Sequence, residues 1–317
     1  MKIELKTGMG EKLNTKVLVV PLFLGLPNAE ETFLRIDRRL NSTLSDLLDG
    51  NPDLAKEGRF TPIYTNGKVG PECIVLAGLG ENEKFTLEKI RRFGGNAVKY
   101  IRSLNASEGC VLTFGYGLKN ITVEDAAQAL TEGLALGAYQ FDEFKAKKKD
   151  DVPLKEISLF PINEVELDQI RMGMTVGNIL AESVSFVRSM VNRPANIVNP
   201  AAMASIAKSV ARNSKIRCRI LNLSQIRKAG MGGIIGVAQG SKNEPCLIVL
   251  EYRGGRNADT YALVGKGVTF DSGGLSLKQP KSMEDMKSDK AGAAAVLGAM
   301  QAIAKLSHWR TIEYIHY

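Results

Sequence analysis

Two lysines and two aspartates are crowded into one short stretch of this chain: Lys266, Asp271, Lys278 and Asp289, within LVGKGVTFDSGGLSLK and SMEDMKSDKAGAAA. Carboxylate oxygens are hard donors suited to divalent cations, and one Asp can bridge two ions held about 3.5–4 Å apart in a hydrolytic site. A lysine ligates only as the neutral amine, so an adjacent dication must draw off its proton, and burial acts in the same direction. A second lysine, left protonated, could stabilise the oxyanion of a tetrahedral intermediate. The chemistry that suits these residue types is metal-assisted hydrolysis. The plain alternative is a structural ion pair between Lys266 and Asp271, with Lys278, Lys281 and Lys287 solvated, because charge clusters are usually wet surface.

The elements that must position these groups follow from the apolar pattern. The run from Tyr261 to Val264 predicts a strand that delivers Lys266 and Asp271 at its end, the usual place for chemistry in an open α/β sheet. Gly273 and Gly274 let the backbone turn sharply beside a ligand. From Met286 to Leu306 the spacing is helical, with Val296, Met300 and Ile303 on one face and Asp289 in or near the first turn.

The whole string closely resembles the catalytic segment of the leucyl aminopeptidase (cytosol aminopeptidase) family: Gly-Lys-Gly, Phe-Asp-Ser-Gly-Gly, a Lys, then Met-x-x-Asp before a small-residue helix. The resemblance implies that Lys266 and Asp289 are ligands of the tighter metal site, Asp271 a bridging ligand and Lys278 the catalytic electrophile. It also implies that Met286 lines the pocket for the first side chain of the substrate. Two further signatures are GLALGAYQFDEFKAKKK, ending at Lys149, and VRSMVNRPANIVNP, ending at Pro200. The implied fold is α/β: two three-layer domains with mostly parallel sheets. The first is a macro-like N-terminal domain over residues 1–162. A linker helix over 163–192 joins it to the N-terminal part of a dinuclear-metal peptidase domain over 193–317.

Nothing in the 317 residues matches the family's downstream Asn-Thr-Asp-Ala-Glu-Gly-Arg motif, and Ser307 to Tyr317 reads as unrelated sequence. The expectation is therefore a C-terminally truncated, incomplete catalytic domain. Family members use two divalent ions, Mn²⁺ or Zn²⁺, and assemble as hexamers. In this chain the resemblance implies at most one ion, weakly held. Two function classes stay open: a cytoplasmic metallo-aminopeptidase acting on peptides, and a noncatalytic remnant that binds or serves a structural role. A DNA-binding protein is a third reading.

Composition sets outer bounds. With 44% hydrophobic residues and 31 glycines the chain is an ordinary α/β sequence of two-domain length. Net charge +8 and a pI near 9.2 would permit contact with nucleic acid. However, the densest basic run, Lys145 to Lys149, is followed at once by Asp150 and Asp151 and has no interleaved aromatics to stack on bases. Cys73, Cys110, Cys218 and Cys246 lack C-x-x-C spacing and read as free thiols of a reducing cytoplasm. No stretch reaches the roughly 18 apolar residues of a membrane span. His308 and His316 have no third ligand for zinc.

Upstream of the metal segment, strands are predicted at Thr15 to Leu24, Gly58 to Thr65, Cys73 to Ala77, Cys110 to Phe114 and Glu156 to Pro161. Helices are predicted at Glu30 to Leu48, from Thr86, at Val123 to Phe144 and at Glu164 to Val191. Gly78, Leu79 and Gly80 read as a tight turn, since Glu81, Asn82 and Glu83 replace the third glycine of a dinucleotide loop. In the second half the pattern gives a helix to Val210, a strand at Arg217 to Leu221, a helix from Ser224 and a core strand at Leu247 to Tyr252. The glycine-dense GMGGIIGVAQG, from Gly230 to Gly240, fits neither the dinucleotide nor the P-loop spacing.

Overall fold

The computed structural model describes residues 1–25, 31–113, 118, 120–146, 152–162, 164–212, 214–253, 261–306 and 315–316. They divide into two units, Met1–Ala181 and Glu182–Tyr317.

In the first unit the strands are β1 (Lys2–Leu5), β2 (Val17–Phe23), β3 (Phe60–Tyr64), β4 (Cys73–Gly80), β5 (Glu108–Leu112) and β6 (Glu156–Phe160). The helices are α1 (Glu31–Arg39), α2 (Thr43–Gly50), α3 (Leu87–Ser103) and α4 (Val123–Ala138). One six-stranded sheet results, in the order β1-β6-β5-β2-β4-β3. All its pairings are parallel except β3 with β4. β3 lies at the edge, where Pro62 costs the sheet no ladder bond.

The two-residue period of a strand sends alternate side chains to opposite faces. In β2, Val17 and Val19 enter one core while Leu18, Val20 and Leu22 enter the other. β4 repeats this with Val75 and Ala77 against Ile74 and Leu76. Helices α3 and α4 cover the first face through Ile90, Phe93, Ile101, Leu130 and Leu134. Helices α1 and α2 cover the second through Phe33, Ile36 and Leu44. Burial on both faces is why these strands read as continuous apolar runs. The glycines of the GLALG signature have a packing role: a Cβ on Gly133 would lie 2.2 Å from the Arg91 carbonyl oxygen and one on Gly137 2.6 Å from Gly95 Cα. Only glycine allows α3 and α4 to approach this closely.

Several expectations change here. β1, a four-residue strand without an apolar run, is an addition to the predicted set and pairs in parallel with β6. The helix expected from Glu30 to Leu48 is two helices, because Asn41 and Ser42 adopt left-handed backbone angles of +56° and +61° in φ. Asp37 fixes this break by accepting hydrogen bonds from the Leu44 and Ser45 amides at 2.8 and 3.3 Å, serving as a remote cap for α2. The expected turn at Gly78 continues β4, and its missing Cβ leaves room for the Lys56 carbonyl oxygen, 2.1 Å from where that atom would stand. Helix α4 stops at Ala138, short of Phe144, where Tyr139 leaves helical angles at φ −59° and ψ 128°. Thr86 and Thr122 cap α3 and α4 through the Lys89 and Asp125 amides. Phe114 and Lys147 to Asp151 lie outside the described residues.

α5 (Leu167–Asn192) crosses the division between the units. The second unit then contains α6 (Pro200–Arg212), β7 (Ile216–Leu221), α7 (Leu223–Lys228), α8 (Gly232–Ala238), β8 (Leu247–Tyr252), α9 (Pro280–Glu284), α10 (Ala291–Leu306) and β9 (Ile315–His316). Its core joins Met190, Met203, Leu250, Tyr252, Leu297 and Met300. The mostly parallel arrangement belongs to the first unit. In the second, the three-stranded sheet β7-β8-β9 has only antiparallel pairings. The glycine-dense segment holds the short helix α8.

The largest departure is at Tyr261 to Val264, expected as a core strand. Residues 261–270 form no strand, and Val264 is 94% exposed. A strand requires a neighbour to complete its ladder, and none of the described strands pairs with this run.

Candidate active site

Lys266 is placed by backbone rather than by a sheet. A Cβ on Gly265 would lie 2.6 Å from the Gly292 carbonyl oxygen, and the Ala293 amide donates to the Lys266 carbonyl at 2.9 Å. This close approach docks Lys266 on the first turn of α10 and satisfies one of the amides that a helix start leaves open. Asp289 precedes the same helix, its amide donating to the Met286 carbonyl at 3.2 Å. The two side chains meet, with Lys266 Nζ 3.1 Å from Asp289 Oδ2. The structure thus pairs Lys266 with Asp289, not with Asp271 as a simple strand-end ion pair would have it.

Asp271 and Lys278 form the second pair, Nζ to Oδ2, at 3.2 Å. Asp271 Oδ1 accepts the Gly273 amide at 2.8 Å, and the Lys278 amide donates to the Ser272 carbonyl at 2.9 Å. This tight loop needs Gly273 and Gly274, whose φ values are +101° and +87°. The Gly273 amide and then the Lys278 ammonium hold the Asp271 carboxyl below the ordinary carboxylate range. Lys278 Nζ also donates to Met286 Sδ at 3.0 Å, which brings the buried methionine against the ammonium. All five residues singled out by pattern therefore fall into two adjoining clusters, Lys266 with Asp289 and Asp271 with Lys278 and Met286.

Could this donor set hold a divalent ion? With metal–ligand bonds of about 2.0–2.1 Å, two ligands of one ion stand roughly 3 Å apart, the separation found between Lys266 and Asp289. Among the described residues no three His, Cys, Asp or Glu side chains gather into a metal-holding group. A cation here would thus depend on the Lys266 amine joining the Asp289 and Asp271 carboxylates. The help expected from burial is missing, since the Lys266 side chain is 64% exposed. His308 lies outside the described residues, and His316 belongs to β9.

Pattern assigns no role to Lys290, yet it is fully buried. Its Nζ donates to the Arg193 carbonyl at 2.8 Å and to the Lys287 carbonyl. Burial, and then the charge of Lys287, pushes the Lys290 ammonium below the usual lysine range. Helical spacing carries the signal for it: Lys290 stands four and seven residues before the buried Ala294 and Leu297, on the stripe that α10 turns to the core. The VRSMVNRPANIVNP signature contributes structure. Met190 and Val198 enter the core, and Asn199 Oδ1 accepts the Ala202 amide at 3.0 Å, capping α6.

Comparison with known proteins places these features. The model of the cytosol aminopeptidase family, N-terminal domain, matches residues 19–148, and that of the cytosol aminopeptidase family, catalytic domain, matches residues 185–316. The second match passes Leu306, so the tail after α10 is not unrelated sequence, and the β9 pairing with β8 lies within it. A probable cytosol aminopeptidase of Sulfurihydrogenibium sp. is 35% identical over 306 residues, 96% of this chain and 60% of the relative. One of Geobacter sulfurreducens is 38% identical over 284 residues, 88% of this chain and 56% of the relative. Among solved structures, a tomato leucine aminopeptidase variant superposes with a TM-score of 0.80 at 25% identity, covering 100% of this chain and 62% of that one. The bottromycin maturation enzyme BotP in complex with Mn gives 0.73 at 25% identity, covering 95% and 58%. The chain thus spans about 60% of the length of the first of these curated relatives. Matched in both halves by models of one family, the chain belongs to the cytosol aminopeptidase family.

Proposed function

We propose that this chain carries the amine-and-carboxylate part of a site that removes the N-terminal residue from peptides in the cytosol, as a leucyl-type metallo-aminopeptidase. The observation that carries the reading is the meeting of Lys266 with Asp289 beside the group formed by Asp271, Lys278 and Met286. Lys266, Asp271 and Asp289 would hold the ion, Mn²⁺ or Zn²⁺ by the resemblance to the family, which also implies a second ion and a hexamer. A bound dication supplies Lewis acidity toward the scissile carbonyl and its attacking water.

The side chains do the rest. Lys278 donates to the oxygen of the scissile carbonyl as negative charge develops there. Asp271 aims that ammonium, and the loop through Gly273 fixes Asp271 in turn. Met286 offers its thioether as one apolar wall for the first side chain of the peptide.

A second reading, a noncatalytic protein that keeps the fold for binding or structure, is favoured by the thin donor set among the described residues. The two separate in one assay. Purified chain is titrated with Mn²⁺, and hydrolysis of leucine p-nitroanilide is followed. Turnover that falls about 10²–10³-fold in Lys278→Ala supports the peptidase. Bound metal with no turnover favours the noncatalytic reading.

A further inference from the structure

Lys290 is the buried cation that the proposed chemistry leaves unused. It is 0% exposed, and among the described residues no carboxylate lies within ion-pairing distance of it. A buried ammonium without a counter-ion is costly unless its N–H groups find strong acceptors. The two it has are not ordinary peptide carbonyls. Arg193 follows directly on Asn192, the last residue of α5, and Lys287 belongs to the 3-10 turn Asp285–Ser288. Helical segments end with unpaired carbonyls and a partial negative charge, so each end favours a cation. One side chain caps both.

The position of these ends gives the contact its consequence. The turn Asp285–Ser288 carries Met286 and leads straight into Asp289. With the Lys290 side chain closed back onto the Lys287 carbonyl, the backbone of Asp289 is held inside a ring of covalent and hydrogen bonds. The link to Arg193 ties that ring to a segment 97 residues upstream. On the far side of Asp289, the Ala293 amide is bound to the Lys266 carbonyl at 2.9 Å. Asp289 is thus framed by two anchors, one to Lys266 and one to the end of α5, and only the second depends on a side chain.

We infer that Lys290 is a positioning residue: by capping α5 and the 285–288 turn together, it holds Asp289 toward Lys266 and Met286 toward Lys278. Its value for metal binding rests on the peptidase reading above, whereas its hold on the turn does not.

The test uses the 317-residue chain and Lys290→Met, which keeps an unbranched apolar stem one atom shorter than that of lysine and removes the donors. Lys305→Met serves as control, because Lys305 lies in α10, the helix that Lys290 immediately precedes, and pairs at the surface with Glu182. Amide hydrogen exchange of residues 285–294 is expected to speed up about tenfold or more in Lys290→Met while the first unit and the control stay unchanged. Unchanged protection there overturns the inference, whether or not the chain binds metal. Where the unsubstituted chain binds Mn²⁺, affinity in Lys290→Met is expected to fall by about tenfold or more, as for loss of a group that orients a ligand. Equal affinity in a folded variant overturns the positioning of Asp289, and a loss of thermal stability alone does not rescue it. Should Lys290→Met fail to fold, acetylation of the unsubstituted chain decides: Lys290 is expected to react far more slowly than Lys287 and Lys266, and equal rates refute its capping role.

Discussion

Lys266 and Asp289 meet across 3.1 Å because two glycines let the backbones that carry them touch. Gly265 faces the Gly292 carbonyl, and Gly292 in turn faces the backbone nitrogen of Lys266, 2.9 Å from where its own Cβ would stand. Gly265→Ala is therefore expected to push the 265–267 segment off α10 and to destabilise the second unit by about 1–3 kcal/mol. Chemical denaturation measures this. Gly236→Ala in α8, where the added Cβ meets nothing within 4 Å, provides the opposite sign, a gain of about 0.5–1 kcal/mol. Equal effects at the two sites would show that contact with α10 is not what selects glycine at 265.

The loop that aims Lys278 separates strain from collision. Gly274 has φ +87° and open space around its missing Cβ, so Gly274→Ala pays only for left-handed backbone, about 1–2 kcal/mol. Gly273, at φ +101°, also faces the Ser276 carbonyl oxygen at 2.4 Å from the added carbon. Gly273→Ala is expected to cost more than Gly274→Ala and to disturb the Asp271 contact with Lys278, read from unfolding curves and from the carboxyl resonance of Asp271.

Asp271 should titrate below an ordinary aspartate, first because of the Gly273 amide and then because of Lys278. The sign follows from which form is favoured. A depressed carboxyl contributes stability above its unfolded pKa and loses it as pH falls through the lower folded value. Carboxyl ¹³C titration between about pH 2 and 6 checks the position, with about 3.9 as reference. Lys278→Met is expected to move Asp271 back upward while the Gly273 contribution remains. A midpoint at or above the reference in the unsubstituted chain would contradict the pairing.

How much of this could be read from sequence depends on the range of the forces involved. β2, β4, β5 and β6 are legible because burial on both faces writes itself as an unbroken apolar run. The split between α1 and α2 is not, because it turns on Asp37 reaching forward to the Leu44 amide, a contact that no local propensity encodes. Tyr261 to Val264 has the composition of a strand, and composition cannot supply the neighbour that a ladder requires. At the candidate site, the family string singles out five residues that the fold sets in two groups, Lys266 with Asp289 and Asp271 with Lys278 and Met286. It says nothing of Lys290, whose partner at Arg193 is 97 residues away.

That unpaired run leads to the last expectation. Val264 is 94% exposed, Leu277 is 67% exposed, and Leu275 projects fully into solvent from the loop that carries Lys278. Apolar side chains gathered this way along 264–277 exceed what scattered surface residues require, and such patches favour association. The purified chain is expected to self-associate with rising concentration, seen by sedimentation velocity, and to bind a hydrophobic dye. Val264→Asp with Leu275→Asp should suppress both. Neither side chain contributes to the buried core, so the unfolding free energy should shift by no more than about 0.5 kcal/mol per substitution. Association that persists in the double variant would place the contact elsewhere, for instance along β7, the sheet edge that presents Arg217 and Arg219. Those two charges oppose strand pairing at that edge, and for that reason the 264–277 segment is the surface expected to govern solution behaviour.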